Sequence, residues 1–274
     1  MSSVFTARKG YSLLLKNEEQ ARRLLPLIRD AGFEGVEPTF TPGAFPSPEG
    51  WEHEAPLLRE MCDELGLCIP SMRGGRPPWN TIPDSEKSAR EQAAGHTERA
   101  LSCLEVFGGD VLLIVPGQST RDVHYLDHWD RVIEYARAVA PLASQRGMSI
   151  GLENTEARFP LSLRDWRDLM GEIADPAMGV YLDVGNITWL GLGYPHQWIS
   201  TLAPWIKRVH FKDATFGGVL RNLLAGDVPW AEVMQELRRI NYRSWISVEP
   251  EWYRSAPWRL PERLYADLEA LFQL

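Results

Sequence analysis

The sequence is poor in the residues that build metal clusters and disulfide frameworks. It contains six histidines and three cysteines among 274 residues. The cysteines, Cys62, Cys68 and Cys103, are odd in number and form no Cys-x-x-Cys pair, which is typical of reduced, packed thiols in a cytosolic protein. The small number of histidines disfavours any site that needs many imidazoles.

The chain also lacks long apolar runs and an excess of positive charge. No run approaches the roughly 18 apolar residues that a membrane span requires, and residues 1–10 lack the apolar core of a signal peptide. The 29 Lys and Arg residues against 37 Asp and Glu residues give a net charge of −8. Because phosphate backbones attract basic surfaces, this charge disfavours a nucleic-acid partner. We therefore expect a cytoplasmic protein that binds neither a membrane nor a nucleic acid.

What the sequence does contain is an alternation of short apolar runs and longer amphipathic segments. No linker or low-complexity tract divides it, so residues 1–274 are expected to form a single domain. The apolar runs predict strands at Tyr11–Leu15, Gly35–Glu37, Leu67–Ser71, Val111–Val115, Ser149–Glu153, Gly179–Asp183, Arg208–Phe211 and Trp245–Glu249. The helical periodicities predict helices at Asn17–Ala31, Glu52–Leu65, Ser85–Phe107, His128–Arg146, Leu163–Ile173, His196–Leu202, Trp230–Ile240 and Pro261–Phe272.

Eight strands and eight helices in alternation predict an α/β fold, a single (β/α)8 TIM barrel. Continuous apolar strands are typical of a parallel sheet that is covered on both faces. An open doubly wound sheet is the alternative, but it usually carries a glycine-rich phosphate turn after its first strand. Here Leu15-Lys16-Asn17 follows that strand, which weakens the alternative.

Polar residues close several predicted strands, at the end of a barrel where active sites lie. Glu37, Glu153, Asp183 and Glu249 end their strands, and His210 lies near the end of the seventh. Unpaired buried charges are costly. A divalent cation bound by residues of the last four strands would explain why each of these strands carries a charged or metal-ligating residue near its end. Three carboxylates and one imidazole suit Mn²⁺ best in our interpretation, with Mg²⁺, Co²⁺ or Zn²⁺ as alternatives. A metal-free cluster of ion pairs is the competing hypothesis.

At these residues the sequence resembles the sugar isomerase/epimerase superfamily of xylose isomerase-like barrels. The resemblance runs from near the first strand to the last. The matching segments are Gly32-Phe-Glu-Gly-Val-Glu37, Gly151-Leu-Glu153-Asn154, Leu182-Asp183-Val-Gly-Asn186, Val209-His210-Phe-Lys-Asp213, Gly226-Asp227-Val-Pro-Trp230 and Tyr242-Arg-Ser-Trp-Ile-Ser-Val-Glu249. The resemblance implies that Glu153, Asp183, His210 and Glu249 bind one divalent metal ion.

The resemblance also implies a reaction, the isomerisation or 3-epimerisation of a ketose or a ketose phosphate. In this family a proton is removed from carbon next to a carbonyl, and the metal stabilises the resulting enediolate. Glu153 and Glu249 would then be the catalytic acid/base pair as well as metal ligands. The Asp183-Val-Gly-Asn186 form resembles the branch that contains pentulose-5-phosphate 3-epimerases. It has Asn where many members carry His, so a histidine-assisted step is not expected.

Further residues on predicted loops are candidates for substrate binding. Asn186 can hydrogen-bond a hydroxyl group, and Arg73 and Arg221 can each bind an anionic group through the guanidinium. His124 and Trp258 lie in loops on the predicted active face, where an aromatic ring suits the apolar face of a sugar. The alternatives are an ordinary surface position for the two arginines, a structural or loop histidine for His124, and interface or loop packing for Trp258.

Lys212 and Asp213 directly follow His210 in the sequence. We expect them to pair with each other or to orient the metal ligands, and thus to have a structural role.

Three other functions compete with a sugar isomerase or epimerase. A metal-dependent lyase or dehydratase acting on a keto-sugar or keto-inositol would use the same metal and base, and only its leaving group would differ. A DNA-repair endonuclease of the same superfamily needs three zinc ions and many histidines, which this sequence does not supply. A non-catalytic sugar-binding barrel would not need two opposed bases. We expect a sugar or sugar phosphate as the partner, and the sequence leaves the oligomeric state open, a homo-oligomer included.

Overall fold

The computed structural model describes residues 5–75, 81–250 and 259–274. Within them, parallel strands form the wall of a barrel, and a short antiparallel hairpin lies beside it. The barrel strands are β1 (Arg8–Leu13), β2 (Gly35–Pro38), β3 (Ser71–Arg73), β4 (Val111–Ile114), β5 (Ser149–Glu153), β6 (Met178–Asp183), β7 (Ile206–Phe211) and β10 (Trp245–Val248). The hairpin strands are β8 (Asp213–Ala214) and β9 (Leu220–Arg221).

Helices connect the barrel strands and cover the outside of the barrel. They are α1 (Glu18–Ala31), α2 (Trp51–Leu65), α3 (Lys87–Phe107), α4 (Tyr125–Gln145), α5 (Leu163–Ile173), α6 (Val184–Trp189), α7 (Pro195–Leu202), α8 (Trp230–Arg239) and α9 (Leu260–Gln273). Their ends follow local signals: the Asn17 side chain accepts a hydrogen bond from the Gln20 N–H at 2.9 Å, and Gly32 ends α1 with a φ of 111°. Among the described residues, no helix is both long and apolar enough to span a membrane.

The eight strands pair in the order β2-β1-β10-β7-β6-β5-β4-β3. Between β2 and β3 the pairing is reduced to two parallel bridges, from Gly35 to Cys68 and from Thr39 to Arg73. The Phe40 N–H also donates to the Arg73 carbonyl oxygen at 2.7 Å across this seam. The barrel is therefore nearly closed, which confirms the fold expected from the sequence.

The third strand is the one that the sequence misplaces most, although the first strand, predicted at Tyr11–Leu15, also begins earlier and covers Arg8–Leu13. The apolar run predicts a strand over Leu67–Ser71, but the strand covers Ser71–Arg73, so this prediction is wrong. Pro70 has no N–H to donate to a ladder, and Cys68 makes only an isolated bridge to β2. The shift puts Arg73 at the carboxyl end of β3, beside the other strand ends.

Two short elements next to the strand ends are absent from the sequence prediction. Helix α6 begins directly after β6, because the Asp183 carboxylate accepts a hydrogen bond from the Asn186 N–H at 2.8 Å and caps the helix. The hairpin of β8 and β9 begins at Asp213, two residues after the last residue of β7. Both elements are too short to show a period in the sequence.

The interior of the barrel is polar near its carboxyl end. Along β6, Val180 and Leu182 join the core that the strands share with the helices, while Tyr181 and Asp183 point inward. This follows from the alternation of side chains along a strand. A strand that reads as apolar in the sequence can therefore direct polar groups into the barrel. On β6 these are the hydroxyl of Tyr181 and the carboxylate of Asp183.

Two buried histidines form hydrogen bonds with the backbone of the loops that follow β3 and β4. The His96 Nε2 lies 3.1 Å from the Gly74 carbonyl oxygen, and the His128 Nε2 lies 3.1 Å from the Pro116 carbonyl oxygen. Burial lowers the pKa of both imidazoles, although these backbone hydrogen bonds oppose the shift. Both rings are therefore neutral near physiological pH and can donate one N–H to the loop backbone.

Acid should reduce the stability that neutral His96 contributes to the folded protein. The unfolded chain binds a proton near the ordinary histidine pKa of about 6.5, whereas buried His96 binds its proton only at lower pH. The stability contributed by neutral His96 is thus present above about pH 6.5 and is lost as the pH falls below it. We expect His96→Gln to flatten the fall in melting temperature on acidification, whereas His53→Gln, at an exposed position on α2, should follow wild type. An unchanged pH profile in His96→Gln would contradict this role.

Candidate functional site

Four residues predicted from the strand ends lie together at the carboxyl end of the barrel. Glu153 ends β5, Asp183 ends β6, His210 lies in β7 and Glu249 directly follows β10. One ligand atom from each lies within 4.8 Å of the others, and all four residues are buried. The strand register explains this, since Asp183 pairs directly with His210 across β6 and β7.

His210 lies between one carboxylate inside the barrel and two at its mouth. Its Nε2 is 2.6 Å from Glu37 Oε1. Its Nδ1 is 3.3 Å from Glu153 Oε1 and 3.2 Å from Glu249 Oε1. In the absence of a metal, both nitrogens can carry a proton and donate to these carboxylates. With a metal ion at Nδ1, the proton on Nε2 would still donate to Glu37. Such a carboxylate–histidine pair fixes the tautomer of an imidazole that binds a metal.

Glu37 has a role that the sequence prediction did not assign. Its Oε2 accepts hydrogen bonds from the Ser71 hydroxyl at 2.6 Å and from the Tyr181 hydroxyl. Burial alone would raise the pKa of Glu37, but the charge of His210 and hydrogen bonds from His210, Ser71 and Tyr181 hold it at about 2. Glu37 is therefore ionised and acts through His210. The sequence signal that could have indicated this role is the position of Glu37 near the end of β2.

Two asparagines fix the position of Asp183. The Asn154 side chain accepts from the Asp183 N–H at 2.9 Å and donates to the Asp183 carbonyl oxygen at 2.8 Å. The Asn186 Nδ2 donates to the Asn154 carbonyl oxygen at 2.7 Å. The Asn186 Oδ1 is buried and accepts no hydrogen bond from the described residues. A buried acceptor of this kind is suited to a substrate hydroxyl or a bound water.

Two buried cations border the carboxylates. The Lys212 Nζ lies 2.8 Å from Asp183 Oδ2 and 2.6 Å from Glu249 Oε2. Arg73 donates from Nη1 to Glu249 Oε1 at 3.1 Å, and its Nε donates to the Thr39 hydroxyl at 2.9 Å. Together with Glu37, the cluster therefore joins acidic and basic groups from in or next to the ends of six strands, β2, β3, β5, β6, β7 and β10.

Of the two roles expected for Lys212 and Asp213, pairing with each other is the one that the structure contradicts. The Asp213 carboxylate accepts hydrogen bonds from the N–H groups of Gly226 and Val228, at 3.1 and 3.2 Å, and from the Trp230 ring N–H at 3.0 Å. Neighbouring residues in extended backbone point in opposite directions, so the two side chains face different partners. Asp213 thereby holds the Gly-Asp-Val-Pro-Trp segment in place, while Lys212 faces the carboxylate cluster.

The two candidate catalytic glutamates have different electrostatic surroundings. Burial raises the pKa of Glu153 to about 7, and the charge of Glu249 adds to this effect against the opposing influence of His210 and Lys212. Burial would also raise the pKa of Glu249, but the charges of Lys212, His210 and Arg73 lower it below its usual range. Pairs of carboxylates whose environments separate their pKa values are typical of acid/base sites.

The donor set fits a divalent metal ion. It offers carboxylate oxygens from Glu153, Asp183 and Glu249 and the Nδ1 of His210, an oxygen-rich set suited to Mn²⁺ or Mg²⁺. The 3.2 and 3.3 Å spacings between Nδ1 and the glutamate oxygens are close to the roughly 3 Å between neighbouring ligands of an ion held at about 2.1 Å. Burial opposes a raised pKa at His210, but the charges of Glu37 and Glu249 raise that pKa well above its ordinary value. Metal binding at Nδ1 would therefore release a proton.

The remaining predicted contact residues occupy different places. Arg73 and Asn186 border the cluster. Arg221 is exposed on β9, outside the buried cluster, and exposed His124 caps α4 through its Nδ1. Trp258 lies outside the described residues. The structure therefore brings two of these five residues to the candidate site and gives His124 a local role in its helix.

Gly185, in the Asp183-Val-Gly-Asn186 segment, leaves room for Lys212. A Cβ at position 185 would overlap the Lys212 Cγ and would lie 2.5 Å from the Lys212 carbonyl oxygen. Any side chain there would force α6 or the residues after β7 to shift. This close approach explains the glycine in the segment.

We expect Gly185→Ala to lower the free energy of unfolding by about 1–3 kcal/mol, because the added methyl group overpacks a fixed site. Gly171→Ala is the matched control, since a Cβ at that position of α5 meets nothing within 4 Å. The control should be neutral or should stabilise the protein by about 0.5–1 kcal/mol, the usual gain from glycine to alanine in a helix. Urea denaturation measures both, and equal stability of the two variants would refute the steric argument.

Comparison with known proteins agrees with this architecture. Residues 25–273 match the family model of the xylose isomerase-like TIM barrel. The chain belongs to this family. No curated protein sequence matches it significantly.

Solved structures with a similar fold include several sugar epimerases. A 3-keto-D-glucoside 4-epimerase from E. coli is 17% identical with a TM-score of 0.77, covering 98% of this chain and 100% of that chain. An L-ribulose 3-epimerase is 17% identical with a TM-score of 0.80, covering 98% and 95% of the two chains. A D-allulose 3-epimerase from Methylomonas sp. is 16% identical with a TM-score of 0.78, covering 99% and 100%. At these identities the similarity shows a shared fold.

Proposed function

We propose that this protein is a divalent-metal-dependent isomerase or 3-epimerase of a ketose or a ketose phosphate. The observation that carries the proposal is the convergence of two buried glutamates on His210 Nδ1, Glu153 at 3.3 Å and Glu249 at 3.2 Å. Two carboxylates that face one site can remove a proton from one side of a carbon and return it on the other. Sugar binding without chemistry needs no such pair.

In the proposed reaction the keto-sugar lies between Glu153 and Glu249. One glutamate accepts the proton from the carbon next to the carbonyl, and the other donates a proton to the opposite face, which inverts that carbon. Return of the proton to the neighbouring carbon would give isomerisation instead. When bound by Glu153, Asp183, His210 and Glu249, a divalent ion supplies Lewis-acid stabilisation of the charge that develops on the sugar oxygens.

Asn186 is suited to position the substrate. Its buried Oδ1 accepts no hydrogen bond from the described residues, so it can accept one from a sugar hydroxyl. An amide does not transfer protons near neutral pH, and we therefore assign both proton transfers to the glutamates. The Asn186 position is also the feature by which the sequence resembles the pentulose-5-phosphate 3-epimerase branch, and it favours 3-epimerisation within the proposal.

The comparisons support a sugar as the substrate. The structures of similar fold include sugar epimerases, among them a D-psicose 3-epimerase studied in the presence of D-fructose and a D-allulose 3-epimerase in complex with D-allulose. We propose Mn²⁺ as the metal because the donor set is rich in oxygen and holds one imidazole, with Mg²⁺, Co²⁺ or Zn²⁺ as alternatives.

Solvent deuterium exchange tests the reaction. In deuterium oxide, the metal-loaded protein should place deuterium next to the carbonyl of one or more members of a panel of keto-sugars, free and phosphorylated. Glu153→Gln and Glu249→Gln should each reduce incorporation by at least about 100-fold, since neither amide can act as a base. Glu60→Gln, at an exposed position on α2, is the matched control.

Two outcomes would contradict this proposal. Incorporation that persists in both Glu153→Gln and Glu249→Gln would refute the acid/base assignment. Loss of water or of another group from the substrate, seen by mass spectrometry, would instead support a lyase or dehydratase.

Elemental analysis tests the metal site. The purified protein should contain about one divalent ion per chain, as expected for a single mixed oxygen and nitrogen site. His210→Ala should lose this ion, because the imidazole ligand is removed, whereas His53→Ala should retain it. An enzyme that turns over after complete removal of metal would refute the site.

A further inference from the structure

Lys212 places a positive charge where the site is suited to hold a metal ion. Its Nζ contacts two of the four candidate ligands, Asp183 at 2.8 Å and Glu249 at 2.6 Å. The residue is only 8% exposed. No step of the proposed reaction uses this ammonium group, so its place among the ligands needs another explanation.

The surrounding backbone holds Lys212 in this position. Gly185 on α6 passes so closely that only a residue without a side chain fits beside it. The Glu249 N–H donates to the Phe211 carbonyl oxygen at 3.2 Å, immediately before Lys212. On the other side, Asp213 is fixed by the hydrogen bonds that it accepts from the following segment. The ammonium group therefore belongs to the built site.

Lys212 is paired with the oxygen of Asp183 that does not take part in the helix cap. The Asp183 Oδ1 accepts the hydrogen bond from the Asn186 N–H at 2.8 Å, which caps α6. Its Oδ2 is paired with Lys212. An ion that binds Asp183 through Oδ2, the oxygen that does not take part in the helix cap, must share that oxygen with the ammonium or displace it. Two cations at such short distance repel each other strongly in a buried site.

Without a compensating cation, the carboxylates of Glu153, Asp183 and Glu249 would repel one another. Buried charges are costly unless they are paired, and removing one partner of a buried pair is strongly destabilising. Lys212 joins Asp183 and Glu249 and offsets part of this repulsion. It thereby favours the folded chain before any metal is bound.

We propose that Lys212 is an internal counterion that stabilises the metal-free site and weakens the binding of divalent ions by competing for Asp183. The inference rests on the proposed function, because it requires these residues to bind a metal. Lys212 is thus a positioning residue that sets how tightly the ion is held.

Mn²⁺ titration of chelator-treated protein tests this role. Lys212→Met removes the ammonium and keeps the length of the side chain, so we expect Mn²⁺ to bind at least about tenfold more tightly than to wild type. The melting temperature of Lys212→Met in chelator should be lower than that of wild type. Lys212→Arg, which retains the charge, should stay near wild type in both measurements.

A second lysine, on the strand that precedes Lys212, provides the control. Lys207 lies on β7 and its Nζ donates to the Pro176 carbonyl oxygen at 2.7 Å, so Lys207→Met should leave the Mn²⁺ affinity unchanged. If Lys212→Met does not fold in chelator, it should fold in excess Mn²⁺ and release the ion to chelator more slowly than wild type.

Equal or weaker Mn²⁺ binding by Lys212→Met, or equal or faster release, would overturn the inference and leave the proposed function intact. Failure of the wild-type protein to bind Mn²⁺ would contradict the metal requirement of the proposed function, and the inference with it.

Discussion

Burial of like charges is the constraint on which this site depends. Among the described residues, the carboxylates of Glu37, Glu153, Asp183 and Glu249 lie inside the carboxyl end of the barrel, where each would be costly if it had no partner. The structure interleaves cations between them: His210 separates Glu37 from the others, and Lys212 joins Asp183 to Glu249. The surrounding hydrogen bonds of hydroxyl groups and asparagines then hold these charged groups in fixed orientations. The polar layer is stable as a network, and each member depends on several strands at once.

The same residue type has different roles within this network because its surroundings differ. Glu37 is enclosed by three donors and stays ionised, so it orients His210 and has no direct part in the proposed chemistry. Glu153 has fewer cationic contacts, and burial raises its pKa toward neutrality, whereas Glu249 contacts Lys212 and Arg73 in addition to His210. An acid/base site needs carboxylates that differ in this way.

The network arises because successive side chains of each barrel strand point alternately toward the helices and toward the barrel axis. Outward-facing residues of β5, β6 and β7 pack against helices, and the alternate positions face the barrel axis. A strand that is apolar on its outer face can therefore end on an inward-facing charge. Short elements such as α6 and the segment held by Asp213 then cover the charged end, because their own backbone groups bond to the site residues.

The sequence by itself determined the eightfold alternation, the ends of β5, β6 and β7 and the set Glu153, Asp183, His210 and Glu249, because local periodicity and position along a strand record them. It did not determine the bounds of β3 or the partners of Lys212. Only the tertiary structure decided that Glu37 pairs with His210, since these residues are 173 positions apart and meet across the barrel interior. Strand pairing and barrel closure bring such residues together, and a local pattern in the chain carries no record of those contacts.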